Sequence, residues 1–356
     1  MIKVGKERIN KFDKSLREKR LLDSYDINKY EVIPFEFNGV KKNVYKNFNL
    51  SIFVDDECNA DCKFCVVQLR YKNRNMLYQK DHIKNDKEYF KRLEEVLSYV
   101  RPLNPSVSIT GGEPTISSRL PKICELLKKY KIRKKTITTN GTGLHDLSIG
   151  GVLNTLEDTG FDHINISRTV IDDCKNNSIM RFPDDREDSY FSNRDLEFVM
   201  DKLKHDSKFK KVPHVRMSCL LLKEGVHTVD QIKDYVNFYK ESYGVDNFIF
   251  RQLMDYDHKA INPKIMEYYE TNKIELDKIW KDIENYKEIV PYLNILGYYY
   301  YVEIYKYNGC TIASEAANLE RQYKEKANHP DTVYEMVFHT DGKLCGSWIP
   351  NEERLM

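Results

Sequence analysis

Along this chain, short apolar runs alternate with longer stretches in which apolar residues recur at helical spacing. From Leu50 onward the runs occupy residues 50–54, 107–110, 136–139, 163–167, 215–222 and 248–253, and each reads as continuous, the pattern of strands buried on both faces. Between them, residues 82–100, 120–130, 149–159, 195–204 and 229–241 read as amphipathic helices, the first marked by Leu93, Val96, Leu97 and Val100. Strand, polar loop and helix in repetition predict parallel strands, hence an α/β fold: a (β/α)6 partial TIM barrel over residues 47–255. In such sheets the reactive residues sit at the carboxyl ends of the strands.

Outside that span the grammar differs. Residues 1–46 are polar and lysine-rich, interrupted by Ile33-Pro34-Phe35, and read as a helical or irregular lead-in. Residues 256–356 read as a small α+β extension. It comprises a helix over 263–288 marked by Ile265, Tyr268, Tyr269, Ile274 and Trp280, a tyrosine-rich strand over 297–305, and a hairpin of 334–338 with 343–345 around Thr340-Asp341-Gly342.

The 356 residues suit a barrel-sized domain with an appended module. A net charge of +2 leaves no broad electrostatic footprint for nucleic acid, so small-molecule or polypeptide substrates are favoured. No apolar run is long enough to span a bilayer, and Met1-Ile2-Lys3-Val4-Gly5-Lys6 lacks an apolar signal core, so a cytoplasmic location is expected. Of eight cysteines, three share one loop and five are scattered at Cys124, Cys174, Cys219, Cys310 and Cys345, which is no disulfide framework and suits a reducing compartment.

The three clustered thiols carry the chemistry. Cys58-Asn59-Ala60-Asp61-Cys62-Lys63-Phe64-Cys65 spaces them as C-x3-C-x2-C, a compact ligand set. A cubane [4Fe–4S] cluster takes four thiolates, so three from one loop hold three irons and leave the fourth open to another ligand. Zinc would need a further protein ligand nearby, and the candidates His82 and Cys124 lie far along the chain.

C-x3-C-x-aromatic-C with Phe64 in the aromatic place, followed one βα unit later by Gly111-Gly112-Glu113-Pro114, resembles the radical S-adenosylmethionine (SAM) superfamily. The branch it is most similar to is that of the molybdenum-cofactor GTP cyclase and of the SPASM and twitch proteins. The resemblance implies a [4Fe–4S] cluster on Cys58, Cys62 and Cys65, and SAM chelated to its open iron. It sets Glu113 against the SAM ammonium, which a carboxylate can accept. Gly111 and Gly112 are expected to let backbone turn sharply and approach a ligand.

The later motifs are looser. Thr138-Thr139-Asn140-Gly141 resembles the T-N-G at the third strand end of such relatives, and is either a ligand contact or a plain turn. Ser167 and Arg168 end the fourth strand, where the family sets polar side chains against the SAM ribose or carboxylate; a solvated strand end with a salt bridge is the other reading. Cys219 is expected in the core. Arg251 and Gln252 face the same mouth, and the polar excursion 172–193, with its charged run 184–188, is either a substrate lid or a surface loop.

Asp341-Gly342-Lys343-Leu344-Cys345 is similar to the twitch hairpin whose cysteines hold an auxiliary cluster. Only Cys310 and Cys345 follow the barrel, too few for a standard set, so a metal-free twitch-like cap is the stronger expectation. The expected activity is reductive cleavage of SAM to a 5′-deoxyadenosyl radical that abstracts hydrogen from a small molecule, with a flavodoxin or ferredoxin as electron donor. The alternatives are a maturase acting on a ribosomally made peptide and, from another class, a non-catalytic iron–sulfur sensor.

Overall fold

The computed structural model describes residues 8, 12, 32–45, 48–65, 83, 85–146, 151–182, 190–206, 211–254, 263–297 and 299–356. Six parallel strands form its centre: β3 (Asn49–Phe53), β4 (Ser106–Thr110), β5 (Lys134–Thr139), β6 (His163–Ser167), β7 (His214–Leu220) and β8 (Asn247–Arg251), adjacent in that order. Sequence periodicity locates all six within a few residues. Between them run α1 (Asp86–Val100), α2 (Leu120–Lys129), α3 (Val152–Thr159), α4 (Asp173–Met180), α5 (Asn193–Asp201) and α6 (Val229–Tyr243). Local chemistry sets their ends. Asn85 caps α1 by accepting from the Lys87 amide, and reciprocal capping boxes open α5 (Ser192, Asp195) and α6 (Thr228, Gln231). Residues 147–150, and with them the expected start of α3, lie outside the described residues.

The strands are not apolar on both faces. In β4 the buried Val107 and Ile109 alternate with half-buried Ser106, Ser108 and Thr110, and β5 alternates in the same way through Thr136, Ile137, Thr138 and Thr139. The apolar face lies in the main core with α1, α2 and α3. The other face is polar: Ser108 Oγ lies 2.9 Å from Thr136 Oγ1 and donates to Asn49 Oδ1 at 3.0 Å, and Asn165 Nδ2 donates to Thr138 Oγ1 at 3.3 Å. Small hydroxyl-bearing residues had read as part of a continuous run because threonine and serine suit strands as well as valine does.

The C-terminal residues extend both edges of this sheet. On one edge β11 (Cys310–Ala317) pairs in parallel with β8, and β10 (Tyr300–Tyr307) and β9 (Val290–Leu296) follow antiparallel. On the other edge β13 (Met336–Phe338) pairs in parallel with β3 and carries β14 (Leu344–Cys345), giving eleven strands. The expected 334–345 hairpin is present. The expected 263–288 helix is two, α7 (Pro263–Asn272) and α8 (Leu276–Ile283).

The lead-in holds an element the sequence reading passed over: an antiparallel hairpin of β1 (Val32–Phe37) and β2 (Val40–Tyr45), turned by Asn38 (φ 48°) and Gly39 (φ 84°), to which β12 (Thr332–Val333) adds. Asn308 (φ 48°) and Gly309 (φ 72°) turn β10 into β11 in the same manner. The tyrosine strand is packed: Tyr301 meets Trp280 and Tyr305 meets Phe12 edge to face, each with centroids 5.4 Å apart. Between them the buried Glu303 receives Arg8 through two bonds of 2.8 and 2.7 Å. α9 (Leu319–Asn328) follows β11.

Candidate functional site

A cavity of about 410 Å³ opens at the carboxyl ends of the parallel strands. Cys58, Cys62, Phe64 and Cys65 line it from the loop after β3, Gly111, Gly112 and Glu113 from that after β4, Thr139 and Asn140 from the end of β5, and Ser167 and Arg168 from that of β6. Of the sequence-selected residues only Pro114 does not line it; it is buried, and opens the turn that brings Thr115 beneath Glu113. These residues share one cavity because consecutive parallel strands end at one level.

Gly111 and Gly112 do make a close approach, but to this chain's own backbone. A Cβ on Gly112 would stand 1.7 Å from the Glu57 carbonyl oxygen, and one on Gly111, whose φ is +138°, 2.6 Å from that of Asp55. Freed of that obstacle, the Gly112 amide donates to the Asp55 carbonyl and the Glu113 amide to that of Glu57, both at 2.8 Å, continuing the β3–β4 pairing past the strands. The cysteine loop is thus zipped to the Gly-Gly-Glu loop.

Glu113 is 2% exposed and ties three segments together. Its Oε1 accepts from the Thr115 amide at 2.9 Å, from the Thr115 hydroxyl at 2.5 Å and from the Thr139 hydroxyl, while Oε2 accepts from the Asn140 amide at 2.7 Å. Burial raises its carboxyl above the ordinary value despite these donors, which favour the ionised form. Oε2, with a single protein donor, is the oxygen with capacity left for a ligand ammonium.

The Thr-Asn-Gly segment ties the cysteine loop in turn. Asn140 Nδ2 donates to Asn59 Oδ1 at 2.8 Å, Asn59 Nδ2 donates to Thr142 Oγ1 at 3.0 Å, and the Thr142 hydroxyl donates back to Asn140 Oδ1 at 2.7 Å. From the other side α4 holds the loop: the Asp61 amide donates to the Arg181 carbonyl at 3.1 Å, and the Arg181 guanidinium lies 3.0 Å from the Asp61 carboxylate. The first part of the excursion expected as a lid is therefore a helix fastened to the cysteine loop. Residues 183–189, with the whole of the charged run, lie outside the described residues, as does His82.

Arg168 corrects the sequence reading. It lines the cavity, but the side chain is 1% exposed and its guanidinium is engaged by the protein: with Tyr239 Oη at 2.9 Å, the carbonyls of Phe191 at 2.8 Å and Ile171 at 3.2 Å, and the Asp173 carboxylate at 2.6 Å. It fastens α4, α5 and α6 behind the cavity rather than offering a fork to a ligand carboxylate. Ser167 remains half-buried at the strand end, and Phe64 packs with Val170, Ile179, Leu222 and Tyr269.

Among the described residues no three His, Cys, Asp or Glu side chains converge tightly enough to chelate one ion. Thiolates that hold three different irons of a cubane need not converge on a point. Cys58, Cys62 and Cys65 are partly exposed to the cavity. Burial, and then the adjoining Cys65 and Cys58, hold the Cys62 thiol well above its ordinary pKa. The residues present fit the group.

The remaining cysteines stand apart. Cys219 is buried in β7 and Cys174 is exposed on α4. Cys310 and Cys345 lie on β11 and β14, with β13 and β3 to β8 between them in the sheet.

The opposite wall contains Arg251 and Gln252, which the sequence places at this mouth, together with residues that no motif announced. Arg251 and Gln252 end β8, and beside them stand Glu315 on β11, Gln322 on α9, Tyr299, and Trp348. Arg251 Nε lies 3.6 Å from Glu315 Oε1, while Gln252 Oε1 accepts from the Leu276 amide at 2.9 Å and is thereby fixed. The only sequence signal for Glu315 is that it lies on an alternating strand begun by Asn308-Gly309.

Comparison with known proteins agrees with this geometry. The chain is 31% identical over 128 residues to a probable GTP 3′,8-cyclase of Methanococcus maripaludis, covering 36% of this chain and 37% of that protein. It is 31% identical over 138 residues to one of Pyrococcus horikoshii, covering 38% of each. The matched region thus spans less than two fifths of the curated relatives. Among solved structures, Streptococcus suis SuiB bound to S-adenosylmethionine superposes with a TM-score of 0.52 at 16% identity, over 87% of this chain and 63% of that one, which shows a shared fold. Residues 54–218, from the end of β3 into β7, match the profile of the Radical SAM superfamily.

Proposed function

We propose that this protein is an enzyme that cleaves SAM reductively and abstracts hydrogen from a small-molecule substrate in the cavity. The observation that carries this reading is the convergence of the three cysteines and the Gly-Gly-Glu loop on one cavity, with their loops joined backbone to backbone. Cys58, Cys62 and Cys65 would hold a [4Fe–4S] cluster. When bound, the cluster supplies the electron that splits SAM into methionine and a 5′-deoxyadenosyl radical, with a flavodoxin or ferredoxin as its source.

The chain's own part is orientation. Glu113 Oε2 presents an acceptor to the SAM ammonium, Asn140 and Asn59 hold the cysteine loop in register with it, and the apolar set around Phe64 and Tyr269 keeps water from that side of the cavity. A cavity of about 410 Å³ is of the size that takes small ligands. Among the described residues no helix is long and apolar enough to cross a membrane, and a cytoplasmic enzyme is part of the proposal.

Anaerobic reconstitution tests the reading. The expected outcome is about four irons per chain, with 5′-deoxyadenosine formed from SAM under a strong reductant, and close to no iron once Cys58, Cys62 and Cys65 are all replaced by Ala. Full iron retention in that triple variant overturns it. Half retention assigns a second cluster to the remaining cysteines.

A further inference from the structure

Across the sheet from the cysteines, Arg251 on the cavity wall and Arg216 deeper along β7 are two cations that, among the described residues, keep much of their hydrogen-bonding capacity unused. Arg216 and Ser218 project from β7 with the same parity as the cavity-lining Leu220, and Arg251 ends the neighbouring β8. Arg216 Nε donates to Asn247 Oδ1 at 2.9 Å; Arg251 donates from Nη1 to Ser218 Oγ at 3.1 Å and has Glu315 at 3.6 Å. A guanidinium carries five N–H groups. Among the described residues those contacts engage one on Arg216 and two on Arg251, whereas Arg168 has four protein acceptors. None of the remaining nitrogens is buried without a partner, so they are reachable from solvent.

The charges do not balance either. Two guanidiniums face one carboxylate, Glu315, and burial together with Arg251 disfavours the charged form of Arg216. An incoming anion relieves both effects. Ser218 completes the geometry: its oxygen accepts from Arg251, so its own proton is left to donate.

We propose that Arg216, Ser218 and Arg251 form a subsite for an anionic oxygen group of the substrate, a carboxylate or a phosphate. The proposal rests on the reading that the cavity holds substrate beside SAM. β7 and β8 lie four and five strands from β3, so a group seated there is held away from the cysteine loop and projects the rest of the molecule toward it. Planar forks recognise such oxygens bidentately, and Glu315 limits the site to one anionic group by standing beside Arg251.

The test is anaerobic calorimetric titration of pyrophosphate, and separately of succinate, into reconstituted protein saturated with SAM, repeated without SAM. The expected result is saturable binding of one of the two, which distinguishes phosphate from carboxylate. Arg216→Gln and Arg251→Gln should each weaken it at least tenfold, Arg216→Lys should weaken it less, Glu315→Gln should tighten it severalfold, and Lys122→Gln on the exposed face of α2 should leave it unchanged. SAM affinity should stay within twofold throughout. Binding of neither probe, equal affinity in both glutamine variants and the parent, or loss of SAM binding in step with the anion would each overturn the subsite. Iron content and SAM binding in the parent report on the cavity reading separately, because the titration without SAM does not depend on it.

Discussion

Two walls of one cavity are built to different rules. On the β3–β6 side nearly every polar group is engaged by another part of the chain: Glu113 by Thr115, Thr139 and Asn140, Asn140 by Asn59, and Arg168 by four partners. On the β7–β11 side Arg216, Arg251 and Glu315 are half-buried and, among the described residues, sparsely bonded. The first wall is a frame that fixes a loop, and the second is a surface that meets something variable. Motif residues are legible because framing a loop demands the same contacts each time, while the wall proposed to meet the substrate has no such constraint.

Substitutions can break this contrast. The largest effect is expected from Gly112→Ala, which sets a methyl 1.7 Å from a backbone oxygen that cannot retreat without unzipping the cysteine loop. A loss of about 3 kcal/mol in urea denaturation of the metal-free chain, with reduced iron uptake, is expected. Unchanged iron uptake would mean that the two loops are not coupled.

Glu113→Ala comes next, at about 2–3 kcal/mol, since it strands the buried Asn140 amide and removes the tie between β4 and β5. Its pH dependence sharpens the point. Burial holds the folded carboxyl above its ordinary value, so the folded state takes the proton more readily than the unfolded one. This group's contribution is therefore present at low pH and fades as pH rises through the folded value. Relative to Glu113→Gln, the parent should gain stability as pH falls, a trend that denaturation at several pH values reads directly. A constant difference would show that the carboxyl is as hydrated folded as unfolded.

The smallest effect is expected from Glu315→Gln on the open wall, below about 1 kcal/mol, because its partner Arg251 is also solvated and 3.6 Å away. A loss as large as that of Glu113 would erase the distinction between the walls.

What could be read beforehand divides along the same line. Three thiols at cluster spacing and a Gly-Gly-Glu at a strand end carry their chemistry in local sequence, and six parallel strands announce themselves through repetition. The destination of the Arg168 guanidinium was not local: it depends on α4, α5 and α6 meeting behind β6. Two hairpins were legible and went unread, since Asn38-Gly39 and Asn308-Gly309 both sit between β-rich segments. The hairpin that carries β13 was read, but its pairing with β3 has no local signal, and the Arg251–Glu315 pairing exists only because β11 aligns on β8.

That β13 closes against β3 has a consequence for the order in which the molecule can be assembled. The strand from which the cysteine loop departs keeps a bare edge until residues far later in the chain return to cover it. Pairing between such distant segments forms late, and an uncovered parallel edge invites association with other chains in the interval. During synthesis the loop is thus exposed on an unfinished sheet, carried by a strand that has a neighbour on one side alone until β13 docks.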